Sequence, residues 1–335
     1  MATPPEIRAA IEAEIQWSPL QLASVIDYLL VTTYDHGGRT PAGFAGPVEL
    51  AGDVRIERLD FELSERLLRA TELRGENWDP TRQSHVVHAY VRQAWSRDDG
   101  GVLDNLYHWD VDRRIHPCVQ LSRLVRDNNT STEHAVRRLI QAGGDERLVP
   151  FSGFDSHVAY RLYPERAGWL DVDEARALDG LVRAYWDGAA LPERVGRALR
   201  RVDSVTRERY LEDALPLVVG GLESLIKTVR EFARAQFAQR VSALASEVGV
   251  GLSEALCGDL YDDRSALVHG AGIDLSRPYV RGAFEQGFIG LQETLRRTVR
   301  RAIEDRSFAS TFATDTDIVA RWPVSVTDGG RQRTI

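Results

Sequence analysis

Only two cysteines occur in 335 residues, Cys118 and Cys257, far apart and in no Cys-x-x-Cys pattern. That excludes a disulfide framework and a thiolate zinc cluster, and it predicts a reducing cytoplasm as the location. No run approaches the roughly 20 apolar residues that cross a bilayer. Residues 1 to 15 carry Glu6, Glu12 and Glu14 where a secretion signal would place a basic flank and an apolar stretch, so neither a membrane partner nor export is expected. Lysine is nearly missing too, with Lys227 the single one among 42 basic side chains. Arginine carries almost all the cationic work, and its planar fork suits phosphate better than a point charge does. A biased coding composition would produce the same preference.

A net charge of -8 argues against coating nucleic acid by bulk attraction, but the charge is unevenly placed. Residues 191–335 hold 21 basic and 20 acidic side chains, leaving 21 and 30 for residues 1–190. An acidic first half joined to a neutral, arginine-rich second half points to two domains with different surfaces. In the first half, spacing predicts helices over 6–16 and 19–31, a Gly/Pro-rich loop from Asp35 to Pro47, a strand at Val54 and Ile56, and helices over 64–73, 83–95 and 113–126. Thr130-Ser131-Thr132-Glu133 reads as a capping box opening a helix to Ile140, and strands are expected at 147–151 and 157–162. Asp171 to Glu174 repeats the capping pattern ahead of a helix reaching Trp186, and Gly188 to Pro192 is the expected hinge.

Beyond the hinge the pattern is wholly helical: 194–205, 207–238, 252–268 and 278–305 carry long apolar stripes, the last running Val280, Phe284, Phe288, Leu291, Leu295, Val299, Ile303. The expected fold is mainly α, with a mixed α+β domain over 1–188, a helical bundle over 189–307 and a loosely attached tail over 308–335.

The segment richest in chemistry is Tyr261-Asp262-Asp263-Arg264-Ser265-Ala266-Leu267-Val268-His269-Gly270. Arginine, four residues and histidine near the end of a bundle helix resemble the signature of the HEPN ribonucleases, and the run is most similar to the Apea-like HEPN branch. Gly221-Leu222-Glu223-Ser224-Leu225 stands where that branch carries Ala-Leu-Glu-x-Leu on an earlier helix. The resemblance covers about residues 190–305. It implies a HEPN-type bundle and a metal-independent endoribonuclease with Arg264 and His269 as catalytic residues, Glu223 holding Arg264, and Tyr261, Asp263 and Ser265 in support. It further implies tRNA or mRNA as substrate, a role in anti-phage defence, abortive infection or toxin-like growth arrest, no cofactor, and a homodimer through the bundle. Residues 1–188 would then serve as sensor or regulator, the trigger being phage-derived or from the host. Many HEPN nucleases place Asn, Asp or His where Ser265 stands. Ala271 replaces the Tyr that is nucleotidylated in toxins paired with a nucleotidyltransferase.

The residue types suit the chemistry. Cutting RNA without a metal needs a base for the 2′-hydroxyl proton, an acid for the leaving oxygen, and cationic donors around the phosphate. A histidine can move the proton and an arginine can offer a bidentate fork. Five positions turn an α-helix through about 140°, so the two side chains converge only if the helix ends between them, and Gly270 and Gly272 offer such an end. Structural alternatives stand beside each assignment: Arg264 paired with Asp259, Asp262 or Asp263, His269 as a satisfied helix terminus, and Glu223 as a surface partner of Lys227. A non-catalytic HEPN adaptor that dimerises or binds RNA or a partner protein is the alternative function. A third reading makes the first half the active domain and the bundle its oligomerisation platform. Arg296, Arg297, Arg300 and Arg301 make a weaker RNA-binding stripe, set against four-residue ion pairs Glu293 to Arg297, Arg300 to Glu304 and Arg301 to Asp305. His85 and His88, with His108, Asp110, His116 and Cys118 downstream, have no organising motif, and no metal site is expected. Pro216, Gly220 and Gly221 predict a kink or a close helix contact.

Overall fold

The computed structural model describes residues 22–33, 47–52, 54–58, 61–72, 89–96, 115–128, 130–152, 169–188, 190–208, 210–273, 278–328 and 331–334. Two compact units divide the chain: Met1–Ser122, Arg126–Val158 and Leu162–Val182 form one, and Arg123–Val125, Ala159–Arg161 and Arg183–Ile335 the other. The described residues are mainly helical, with antiparallel sheet in the first half, and none of their helices is long and apolar enough to cross a membrane.

In the first unit, β1 (Leu22–Thr33), β2 (Val48–Leu50), β3 (Val54–Arg58), β4 (Ala89–Ser96), β5 (Thr130–Gln141) and β6 (Glu146–Ser152) form a six-stranded sheet in the order β2-β3-β4-β1-β5-β6. Every pairing is antiparallel. Helix α1 (Phe61–Glu72) lays Leu63, Leu67 and Ala70 on one face, against Ile26, Tyr28 and Leu30 of β1, Val136 of β5 and Leu148 of β6. On β1, Asp27 is buried and accepts from Arg137 of β5, Nε to Oδ1 at 2.6 Å and Nη2 to Oδ2 at 2.9 Å. Three expected helices fail here, and one capping box with them. Residues 19–31, 83–95 and 130–140 were expected to be helical, whereas their described parts are β1, β4 and β5. Central strand β1 buries Tyr28, Leu29, Leu30 and Val31 in succession, and a strand covered on both faces shows no alternation to separate it from a helix. The strands at Val54 and 147–151 are present, and so is the helix expected over 64–73 as far as Glu72. The expectations for 6–16, 35–46 and 157–162 lie outside the described residues.

Helix α2 (His116–Val125) places Pro117 in its first turn, where the missing N–H costs nothing, so the proline starts the helix. Helix α3 (Val172–Asp187) opens on the expected capping box: the Asp171 N–H donates to Glu174 Oε2 at 3.0 Å and the Glu174 N–H to Asp171 Oδ1 at 2.8 Å.

The second unit continues with α4 (Glu193–Val205), α5 (Leu211–Leu225), α6 (Ala233–Glu247), α7 (Glu254–Val268) and α8 (Pro278–Glu304). Helix α8 packs against α4, α5, α6 and α7, burying Phe284, Phe288, Leu291, Leu295, Val299 and Ile303. Close approach requires glycine at the contacts: a Cβ on Gly221 of α5 would lie 2.7 Å from Leu295, and one on Gly287 of α8 would lie 2.8 Å from Leu260. The expected single helix over 207–238 is instead α5 and α6, separated by residues 226–232, where Ile226 turns extended and Phe232 takes φ 61°. The tail is not loosely attached. Helices α9 (Arg306–Ser310) and α10 (Asp315–Arg321) are capped by Asp305 and Thr314, and β7 (Ser325–Asp328) pairs with β8 (Arg331–Thr334). Phe308, Phe312, Ile318, Trp322 and Val324 are buried, and the Arg240 guanidinium, itself buried, donates to the Trp322 carbonyl at 3.0 Å.

Candidate functional site

Ser253 starts α7 by accepting from the Leu256 N–H. The other end is a Schellman closure: the Ala271 N–H donates to the Ala266 carbonyl at 2.9 Å and the Gly270 N–H to that of Leu267 at 3.1 Å, with Gly270 at φ 82°. Only glycine takes that left-handed conformation freely. His269 is therefore the last half-helical residue, its N–H bonded to the Ser265 carbonyl at 3.1 Å and its side chain exposed. The helix end falls directly after the histidine and not between Arg264 and His269, so the condition for the two side chains of one chain to converge is not met.

One turn earlier, Arg264 reaches across to α5. Its Nη2 donates to Glu223 Oε2 at 2.7 Å, and each side chain keeps about a quarter of its surface, 26% and 22%. Two of the three competing carboxylates are taken by another cation: Arg234 of α6 donates through Nε to Asp262 at 2.6 Å and through Nη2 to Asp259 at 3.3 Å. Lys227 pairs with Asp315. So Arg264 takes Glu223, 41 residues away, in preference to its sequence neighbours.

Tyr261 completes the cluster. Its ring lies 5.7 Å from the Arg264 guanidinium and 5.0 Å from the ring of Phe237 on α6. Burial pushes the phenol above its ordinary value. The Glu223 carboxylate pushes it further, and Arg264 works in the opposite sense. The Asp263 carboxyl is also raised, first by burial and then by Asp259 and Asp262. Ser265 is half-buried and contributes its carbonyl to the helix end. Arg264 Nε is enclosed and has no hydrogen-bond acceptor among the described residues.

The arginines of α8 are occupied elsewhere. Arg296 is buried and binds Glu293 and the Leu124 carbonyl; Arg297 binds Glu293 and the carbonyls that end α6. Arg300 pairs with Glu304 as expected. Arg301 does not pair with Asp305, which caps α9. It contacts Glu247 and lies 4.3 Å from the Phe308 ring. Among the described residues no cluster of three His, Cys, Asp or Glu could hold a metal, and His85, His88, His108 and Asp110 lie outside them.

Arg234 and Phe237, which clear Asp259 and Asp262 away from Arg264 and back Tyr261, had no signal in the sequence, because their pairing exists only once α6 lies antiparallel to α7. No protein-family model matches the chain, and neither a curated protein nor a solved structure is matched by it.

Proposed function

We propose that the helical unit is a HEPN-type endoribonuclease acting without a metal on tRNA or mRNA. The observation that carries this is the Arg264–Glu223 pair between α7 and α5, one turn before an exposed histidine on a glycine-closed helix end. In the proposed reaction His269 takes the 2′-hydroxyl proton. The O2′ attacks phosphorus, the P–O5′ bond breaks, and the departing 5′-oxygen receives a proton. Arg264 neutralises the charge that grows on the non-bridging oxygens. Glu223 and Tyr261 hold Arg264 in place by an ion pair and a ring contact.

One histidine moves one proton at a time, whereas the reaction needs a base and an acid together. We therefore propose a two-fold homodimer in which both Arg264 and His269 pairs line one cleft. The acidic sheet-bearing unit would restrain the nuclease or recognise a trigger, within anti-phage defence or toxin-like growth arrest. The adaptor reading draws on one observation: Nη2 of Arg264 is already bonded to Glu223, as in an ordinary structural pair. Expression decides between the two. A nuclease is toxic in the wild type and tolerated as Arg264→Ala or His269→Ala, whereas an adaptor is harmless in all three and leaves RNA intact.

A further inference from the structure

Phe232 is the only non-glycine residue with positive φ among the described residues, at φ 61° and ψ 25°. A bulky L-residue is unfavourable there, because its Cβ crowds the neighbouring carbonyl. Two buried polar side chains hold the segment in this shape. Gln236 accepts from the Val229 N–H at 3.2 Å and donates to the carbonyls of Val229 at 3.3 Å and Glu231 at 2.7 Å. Arg240 donates to the Lys227 carbonyl and, at 3.0 Å, to Gln236 Oε1. The ring so held is not core, since Phe232 is 38% exposed. Backbone strain retained to present a side chain to solvent is characteristic of functional surfaces.

The surroundings narrow the chemistry. The Arg234–Asp262 and Phe237–Tyr261 contacts set the start of α6 beside the last turns of α7, and Glu223–Arg264 brings the end of α5 there. Phe232 and the exposed Val229 thus share one end of the unit with Val268, 58% exposed, and His269. Arg230, exposed in the same segment, makes no ion pair among the described residues. An aromatic face, a cation beside it and the proposed reacting pair together match a single strand of RNA, whose unpaired bases stack on aromatic rings while arginine meets the phosphates.

We propose that Phe232 is a stacking platform for an unpaired base next to the scissile phosphate, so that the substrate is cut in single-stranded segments. This rests on the endoribonuclease reading. The full chain carrying His269→Ala binds without cutting and is titrated with a short, fluorescein-labelled, mixed-sequence single-stranded RNA, with sedimentation run in parallel. Adding Phe232→Gly should weaken binding by about fivefold to about 150-fold, while Phe232→Tyr keeps the affinity. Glycine suits the left-handed conformation, so the backbone keeps its shape, and far-ultraviolet circular dichroism checks that the variant is folded before binding is compared. Equal binding by the Phe232→Gly chain overturns the stacking role alone. Absence of any binding by the His269→Ala chain overturns the nuclease reading with it. A Phe232→Gly chain that dissociates in sedimentation makes the ring a contact between two copies and overturns the proposal as well.

Discussion

Glu223→Ala removes one partner of the ion pair that orders the site. A hydrogen bond to a charged group contributes about 1.5–3 kcal/mol when buried, and a fully exposed pair about 0–1 kcal/mol. With 26% and 22% of the two side chains in solvent, the Arg264–Glu223 bond lies between these limits. A double-mutant cycle with Arg264→Ala should return a coupling energy of about 1–2 kcal/mol. Urea unfolding of the full chain, followed by far-ultraviolet circular dichroism, measures the cycle at the transition that Arg264→Ala shifts. In RNA cleavage, Glu223→Ala should fall between wild type and Arg264→Ala, and the double variant should be no worse than Arg264→Ala, since Glu223 acts only through the guanidinium. Coupling below about 0.3 kcal/mol, the scatter of independent sites, would show that the pair does not form in solution.

Arg240→Leu should destabilise the helical unit by about 3–5 kcal/mol, because it strands the Lys227 and Trp322 carbonyls. Faster proteolysis after Arg321 would report the loosened tail. Asp263→Asn should raise the melting temperature at neutral pH. The folded carboxyl titrates above its unfolded value of 3.8, so its contribution is full below that pH and lost as pH rises through the folded value. The advantage of Asn should therefore vanish in acid, and a constant difference across pH would refute it. Burial, then Glu254, pushes the Cys257 thiol up to about 12, and burial, then Asp179, raises Cys118 as well. Thiol reagents should label neither until the chain is unfolded, as mass spectrometry would record.

The site was more legible in the sequence than the sheet. Gly270 after His269 marks the helix end because the Schellman closure is local chemistry, and the Asp171 and Glu174 box is equally local. The capping pattern at Thr130 to Glu133 stands in β5, where Thr130 and Ser131 pair with Thr33 and Thr32 of β1. Tertiary pairing overrode the local signal. The break at 226–232 depends on Gln236 and Arg240 reaching back from α6, and the docking of Trp322 depends on Arg240, so neither leaves a periodic trace. The partnership of Glu223 with Arg264 was expected from resemblance, while its exclusivity comes from Arg234 holding Asp259 and Asp262.

The most direct measurement is cleavage of tRNA and mRNA by the purified full chain in EDTA, beside Arg264→Ala and His269→Ala chains shown to be folded. The wild type should cut, and each substitution should lower the rate by about 10² to 10⁴. Cleavage that survives both substitutions, or that ceases on chelation, would contradict catalysis by this pair.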